Sequence, residues 1–404
     1  MNLDDPPRFL LPKTKIFLSV DLIGSTLDKQ GETHLSKRKR SGLPDNLLGK
    51  SQYCLSNITT FYRLFEKTYF EKWHSSLKSE FYVKLCKGKS TLSDMADSEK
   101  APQLFKIIGD ELVFVVDVEE LEEVLIHLSI WMDSVREFQN ITRDREFSVK
   151  STAWFAGFPL TNQEVVTLRN GLGETYEAAF DAVESGLVFS HYYCLALAYG
   201  DINVPGKVGS LSMMHTTRDY VGPSMDIGFR LSEFSDAYKL AISVDLAYVI
   251  SSAGINSSFV NYRSEKFQIH YAGRKSIKGL TEGEGYPIFW LKLSDEPQSD
   301  ENEYFRSDYR NGPIKMDYVR NFAQNYFDQV HEKDGPIIAP FFSKSRYDDL
   351  NQPEPGFYES LELINKCWKR EVKSLESSGD LITSDGKGNV ISEKESNNTI
   401  NSLF

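Results

Sequence analysis

Hydrophobic positions along the 404-residue chain change their period several times, and each change marks an element. Lys15-Ile-Phe-Leu-Ser-Val20 is apolar on both faces, the pattern of a central strand covered on both sides. It runs into Asp21-Leu-Ile-Gly-Ser-Thr26, which reads as a strand end turning toward a helix. Residues 35–51 are polar, contain Lys37-Arg38-Lys39-Arg40, and read as an exposed loop. Leu55, Ile58, Phe61, Tyr62, Phe65 and Tyr69 then recur at helical spacing. After a polar stretch over 87–103 come two short apolar runs, Leu104-Phe-Lys-Ile-Ile108 and Leu112-Val-Phe-Val-Val116. Gly109-Asp110-Glu111 joins them, which predicts a hairpin. Leu121, Val124, Leu125, Leu128, Trp131, Met132 and Val135 mark an amphipathic helix, and 147–155 reads as another strand.

The front half therefore runs strand, helix, strand-turn-strand, helix, strand. That order predicts an α+β sandwich with helices on one face of a mostly antiparallel sheet. Residues 157–217 mix Gly, polar runs and apolar pieces without a clear period. Helices are expected near 225–236 and 243–252, and paired strands with a Gly-rich turn over 267–293. Beyond 297 the pattern weakens, although Phe341, Phe342 and Trp368 point to packed structure. From 374 the chain is Ser, Asn, Glu, Lys and Gly, a composition that predicts disorder. The expected organisation is one catalytic-type domain over 1–297 with an insertion at 157–217, an extension over 298–373 and a tail over 374–404.

Composition narrows the classes. Apolar residues are 40% and aromatics 13%, enough for a real core. A net charge of −12 argues against a general nucleic-acid or anionic-membrane binder, since a phosphate backbone rewards excess cations. A nucleotide substrate remains open, because bound metals can carry its charge. No apolar stretch approaches the roughly 20 residues of a spanning helix, and the opening MNLDDPPRFLLPK does not read as a signal peptide. Cys54, Cys86, Cys194 and Cys367 have no metal-ligand spacing, so a reduced cytoplasmic protein is expected.

Asp21 ends a buried strand and Asp110 sits in a hairpin turn. If the hairpin pairs beside the first strand, two carboxylates meet at one sheet end, a suitable seat for a pair of divalent cations. Gly24, Ser25 and Thr26 offer backbone N–H groups to phosphate oxygens. Taken singly, the first motif is a turn with a helix cap and the second a plain hairpin turn. Asp226 and Arg230 are four apart on one helix face, which alone suggests an ordinary ion pair worth a few tenths of a kcal/mol. Gly42-Leu-Pro-Asp-Asn-Leu-Leu-Gly49-Lys-Ser51 has six residues between its glycines where a P-loop has four, and no strand precedes it. The seven histidines show no zinc-hydrolase spacing.

Asp21-Leu-Ile-Gly-Ser-Thr26, Lys106-Ile-Ile-Gly-Asp110 and Asp219…Asp226…Arg230 occur in an order and spacing that resembles the class III nucleotidyl cyclases, over about 14–155 and 217–293. The resemblance implies a ferredoxin-like, palm-type βαββαβ core. It implies that Asp21 and Asp110, with the Leu22 carbonyl, hold two divalent cations, Mn2+ or Mg2+, and that Arg230 stabilises charge on the α-phosphoryl group. Lys106 and Asp219 would read the base. Asp226 stands where the family usually has Asn near the ribose. The family's terminal-phosphate Lys falls at about Leu280, leaving Lys278, Lys275 or Arg274 as substitutes. A head-to-tail homodimer with shared sites is also implied.

A Lys donor beside an Asp acceptor suits adenine or cytosine, and uracil if the ring shifts. The overall form resembles the bacterial antiphage (Pycsar) pyrimidine cyclases. That implies cyclisation of UTP, or else CTP, to a 3′,5′-cyclic nucleotide that acts on a separate effector protein. An adenylate cyclase and a catalytically inactive nucleotide sensor are the alternatives. A polymerase palm is disfavoured by the charge of −12.

Overall fold

The computed structural model describes residues 6–23, 47–79, 101–143, 148–168, 187–203, 216–256, 266–277, 285–294, 312–334, 339–342, 350, 353, 355–378 and 382–383. Gly24, Ser25, Thr26, the Lys37–Arg40 run, Cys86 and Lys278 lie outside the described residues. The strands are β1 (Lys13–Leu22), β2 (Gln103–Ile108), β3 (Glu111–Val118), β4 (Val149–Phe158), β5 (Gln163–Leu168), β6 (Ile202–Asn203), β7 (Thr216–Val221), β8 (Lys239–Ile242), β9 (Ile269–Lys275), β10 (Tyr286–Lys292) and β11 (Ile382–Thr383). The α-helices are α1 (Leu47–Leu77), α2 (Leu121–Thr142), α3 (Leu187–Tyr199), α4 (Pro223–Arg230), α5 (Val244–Asn256), α6 (Met316–Asp334) and α7 (Phe357–Ser378).

The chain forms two compact units, both discontinuous in sequence. The larger comprises Thr14–Ala156 and Asp226–Gln352. It is built on a seven-stranded sheet of order β2-β3-β1-β4-β8-β10-β9. β1–β3, β2–β3, β8–β10 and β10–β9 are antiparallel, and β4–β8 is parallel. The predicted α+β class is the observed one. The first six elements run βαββαβ, and their strands lie in the order of a split βαβ motif, with β3 and β1 at its centre.

Alternation along β1 sorts its side chains onto two faces. Ile16, Leu18, Val20 and Leu22 join one core with Phe61, Phe65, Tyr69 and Trp73 of α1 and Val124, Leu128, Trp131 and Val135 of α2. Trp131 meets Tyr69 edge-on at 4.9 Å and Phe65 at 5.2 Å. Burying each such ring contributes about 1.5–3 kcal/mol. α2 opens with a reciprocal capping box between Glu120 and Glu123. α6 extends the same core through Val319, Ala323 and Phe327, within the stretch where the apolar pattern weakens. β8 is only Lys-Leu-Ala-Ile and fully buried, and it separates the two helices expected on either side of it. The first of those helices is shorter than expected, since α4 gives way to a 3-10 turn at Leu231–Phe234.

On the opposite face Phe17 stacks on Trp154 of β4 with centroids 5.3 Å apart. Phe229 of α4 lies against the same indole at 5.3 Å. A Cβ on Gly228 would sit 2.3 Å from the Trp154 ring, so only glycine lets this part of α4 lie so close.

The smaller unit comprises Met1–Lys13, Gly157–Met225 and Pro353–Phe404, and so takes in the expected insertion. β5 and β7 pair antiparallel, as do β6 and β11. Phe9, Leu10, Val166, Leu195, Ala196, Ala198, Trp368 and Val372 form its core. Phe9 stacks on Tyr192 at 5.2 Å and meets Trp368 edge-on at 5.3 Å. α7 runs to Ser378, and Ile382–Thr383 form β11, within the stretch whose composition predicts disorder. Among the described residues no helix is long and apolar enough to cross a membrane.

Candidate active site

The β1–β3 ladder brings Asp21 and the hairpin turn together. Asp21 lies directly opposite Glu111 in the register, and the Leu22 N–H donates to the Asp110 carbonyl at 3.2 Å. The turn is Gly109-Asp110, closed by the Ile108–Glu111 pair. Gly109 has φ +65°, a left-handed conformation that favours glycine. The Tyr62 hydroxyl of α1 donates to the Gly109 carbonyl, so the turn is tied to a core helix. Asp21 and Asp110 thus lie at one rim of the sheet.

Asp21, Asp110, Glu111 and Lys150 act on one another at this rim. Burial pushes the Glu111 carboxyl above its ordinary range, while the Ser19 hydroxyl that donates to it pulls the other way. The charges of Asp21 and Asp110 push Glu111 up further, and that of Lys150 draws it down. Lys150 Nζ lies 3.1 Å from Asp21 Oδ2, with the two side chains 27% and 21% exposed. Both are half-buried, so this pair is screened less than a surface one.

Among the described residues no three His, Cys, Asp or Glu side chains converge to cage an ion by themselves. Mg2+ at phosphate-transfer sites takes one or two carboxylates and fills its shell with water and substrate oxygens. Asp21 and Asp110 supply hard oxygens of that kind, and the ammonium at Asp21 already marks the place as one that attracts a cation. The donor set fits a divalent metal.

The other expected residues are distributed as follows. Arg230 ends α4 half-buried, and Asp226 is exposed on the same helix. Neither makes an ion pair or side-chain hydrogen bond among the described residues, so the helix-face ion pair is not formed. Lys106 is half-buried on β2 opposite Val113, just after a register shift, with its ammonium 5.2 Å from the Phe105 ring centroid. Asp219 belongs to the smaller unit, on β7 opposite Val165, and its Oδ1 accepts the Tyr220 N–H at 2.8 Å. Arg274 donates to the Gly285 carbonyl at 3.1 Å and lies over the rings of Phe322 and Tyr326, so it is engaged in packing α6. Lys275 is exposed at the end of β9.

Sequence reasoning missed Glu111, Ser19 and Lys150. Glu111 sits in the Gly-Asp-Glu connector, but only the register shows that it faces Asp21. Lys150 belongs to an expected strand, and its face follows from Ser151. The Ser151 hydroxyl donates to the Ser19 carbonyl at 2.7 Å and accepts from the Trp131 indole at 2.8 Å, so alternation turns Lys150 toward Asp21.

No protein-family model and no curated protein matches the sequence. Several solved structures do. The adenylyl cyclase CyaB from P. aeruginosa is 10% identical with a TM-score of 0.34, over 71% of this chain and 96% of that one. The guanylate cyclase domain of RhGC from Catenaria anguillulae, in complex with GTP, is 11% identical with a TM-score of 0.32, over 69% and 96%. An adenylate/guanylate cyclase/hydrolase from Silicibacter pomeroyi is 12% identical with a TM-score of 0.30, over 70% and 99%.

Proposed function

We propose that the protein is a nucleotidyl cyclase that converts a pyrimidine nucleoside triphosphate, UTP before CTP, to its 3′,5′-cyclic nucleotide and pyrophosphate. The supporting observation is the meeting of Asp21 and Asp110 at one sheet rim through the β1–β3 register. Asp21, Asp110 and the Leu22 carbonyl would hold two divalent cations, Mn2+ or Mg2+. When bound, these supply Lewis-acid activation of the ribose 3′-hydroxyl and neutralise the triphosphate. Arg230, uncommitted to any carboxylate among the described residues, donates to the α-phosphoryl oxygens as charge builds there. The 3′-oxygen attacks the α-phosphorus in line, its proton passes to solvent, and pyrophosphate leaves. Lys106 and Asp219 read the base edge, Asp226 lies toward the ribose, and Gly24, Ser25, Thr26 and Lys278 serve the phosphates. The working form is a homodimer with shared sites, and the product is a second messenger for a separate effector in antiphage defence.

Incubating the full chain with Mn2+ and each of ATP, GTP, CTP and UTP, followed by mass spectrometry, tests the reading. Cyclic UMP or cyclic CMP is the expected product. Cyclic AMP alone makes the protein an adenylate cyclase, and binding without any product makes it a sensor.

A further inference from the structure

We infer that Lys150 is a tethered counter-ion that holds the place of a divalent cation at Asp21 and yields it when the ion binds. This deepens the metal assignment above and rests on it. Like charges directly opposite across an antiparallel pair destabilise the ladder, and β1–β3 sets Asp21 opposite Glu111 with Asp110 in the adjoining turn. A rim so built calls for a cation in the metal-free protein, and Lys150 Nζ, 3.1 Å from Asp21 Oδ2, answers it.

The manner of attachment suits displacement. Ser151 fixes the backbone of β4 here, so Lys150 reaches Asp21 from a firm base on a flexible four-carbon stem. Among the described residues its ammonium has no other ion-pair or hydrogen-bond partner. Lys15 is different: its side chain is 8% exposed and pairs with Asp117 farther along the same ladder. Lys150 keeps more than a quarter of its side chain in water, so releasing the carboxylate costs little desolvation. A divalent ion outbids a single ammonium for hard carboxylate oxygens.

The test titrates the metal-free full chain with Mn2+, without nucleotide, and counts free Mn2+ by electron paramagnetic resonance. Wild type, K150Q, K150R and D21N are compared, with melting temperatures taken in parallel. K150Q is expected to bind Mn2+ about 3–10-fold more tightly than wild type, the equivalent of losing a half-buried ion-pair competitor, while melting lower without metal. K150R is expected to bind Mn2+ at least about twofold more weakly, because a guanidinium grips a carboxylate in a fork. A purely structural Lys150 moves the melting temperature and leaves Mn2+ affinity unchanged. Mn2+ binding that D21N abolishes but that is the same in wild type, K150Q and K150R overturns the counter-ion role and leaves the metal assignment standing. No Mn2+ binding at a site that D21N removes overturns both. Should K150Q fail to fold, K150R decides alone, and wild-type affinity in it counts against the inference.

Discussion

The face of the β1–β3 ladder that carries Asp21 has two unlike ends. At one end Lys15 lies opposite Asp117 and the two pair. At the other Asp21 lies opposite Glu111, with the Asp110 turn beyond. Between them Phe17 is opposite Val115 and Ser19 opposite Val113, all buried. The same strands and the same alternation therefore give a matched end, where opposite charges satisfy each other across the ladder, and an unmatched end, where acids gather and Lys150 of a third strand pairs with Asp21. Matching stabilises a fold. A mismatch kept at a strand end, next to a glycine turn, costs the ladder a cross-strand pair and leaves carboxylates to be answered from outside the two strands.

The comparison is broken most severely by removing acids at the unmatched end. D21A or D110A is expected to lower kcat/KM by about 10³-fold or more with little change in circular dichroism. D117N at the matched end should cost stability alone, about 0.5–1 kcal/mol, with turnover near wild type. Equal activity losses from D21A and D117N would erase the distinction.

Arg230 comes next. R230A should lower kcat by about 10²-fold with KM within about threefold, since its partner charge develops only in the transition state. If sites are shared between subunits, mixing D21A with R230A chains restores about a quarter of wild-type activity, because half the dimers are mixed and each of those has one intact site. Steady-state kinetics on the mixtures reads this directly.

Smaller effects sharpen the picture. G228A forces a methyl group into the Trp154 ring; it should cost about 1–3 kcal/mol in chemical denaturation and lower turnover as α4 moves. E111Q addresses the mismatch itself. A carboxyl whose folded pKa is raised favours folding in its neutral form, so wild-type stability falls as pH climbs from the ordinary carboxylate range through the raised value. E111Q should remove that fall. It should be more stable than wild type near neutral pH without metal, and close to it at and below the ordinary carboxylate range, as chemical denaturation across pH reads.

What the sequence made legible was periodic helices and unbroken apolar strands. α1 and α2 have apolar residues at the helical period, β1 and the β2–β3 hairpin are short continuous apolar runs, and the hairpin turn is written as Gly-Asp. Those elements carry Asp21 and Asp110, so the centre of the candidate site could be read from them. Glu111 could not, because its facing residue is set by register, which emerges only when two strands pair. Lys150 was hidden for the same reason, its face being fixed by the Ser151 hydrogen bonds. β8 is too short to show a period. α6 did hold a clear one, Val319, Ala323 and Phe327 at intervals of four, which the charged residues between them obscured. The smaller unit does hold an apolar run, Tyr192–Tyr199, but a run apolar all round shows no face, and its partners in the core come from separated stretches of the chain.

That last arrangement bears on how the protein is made. Every strand of the seven-stranded sheet has left the ribosome once Lys292 is out, whereas Trp368, the ring that Phe9 meets edge-on, is translated 76 residues later. The strands of the sheet can therefore pair while the residues after Lys292 are still being made. Phe9 is translated before the sheet and must wait for a partner translated after it, so the core of the smaller unit is completed only after the strands of the sheet are out.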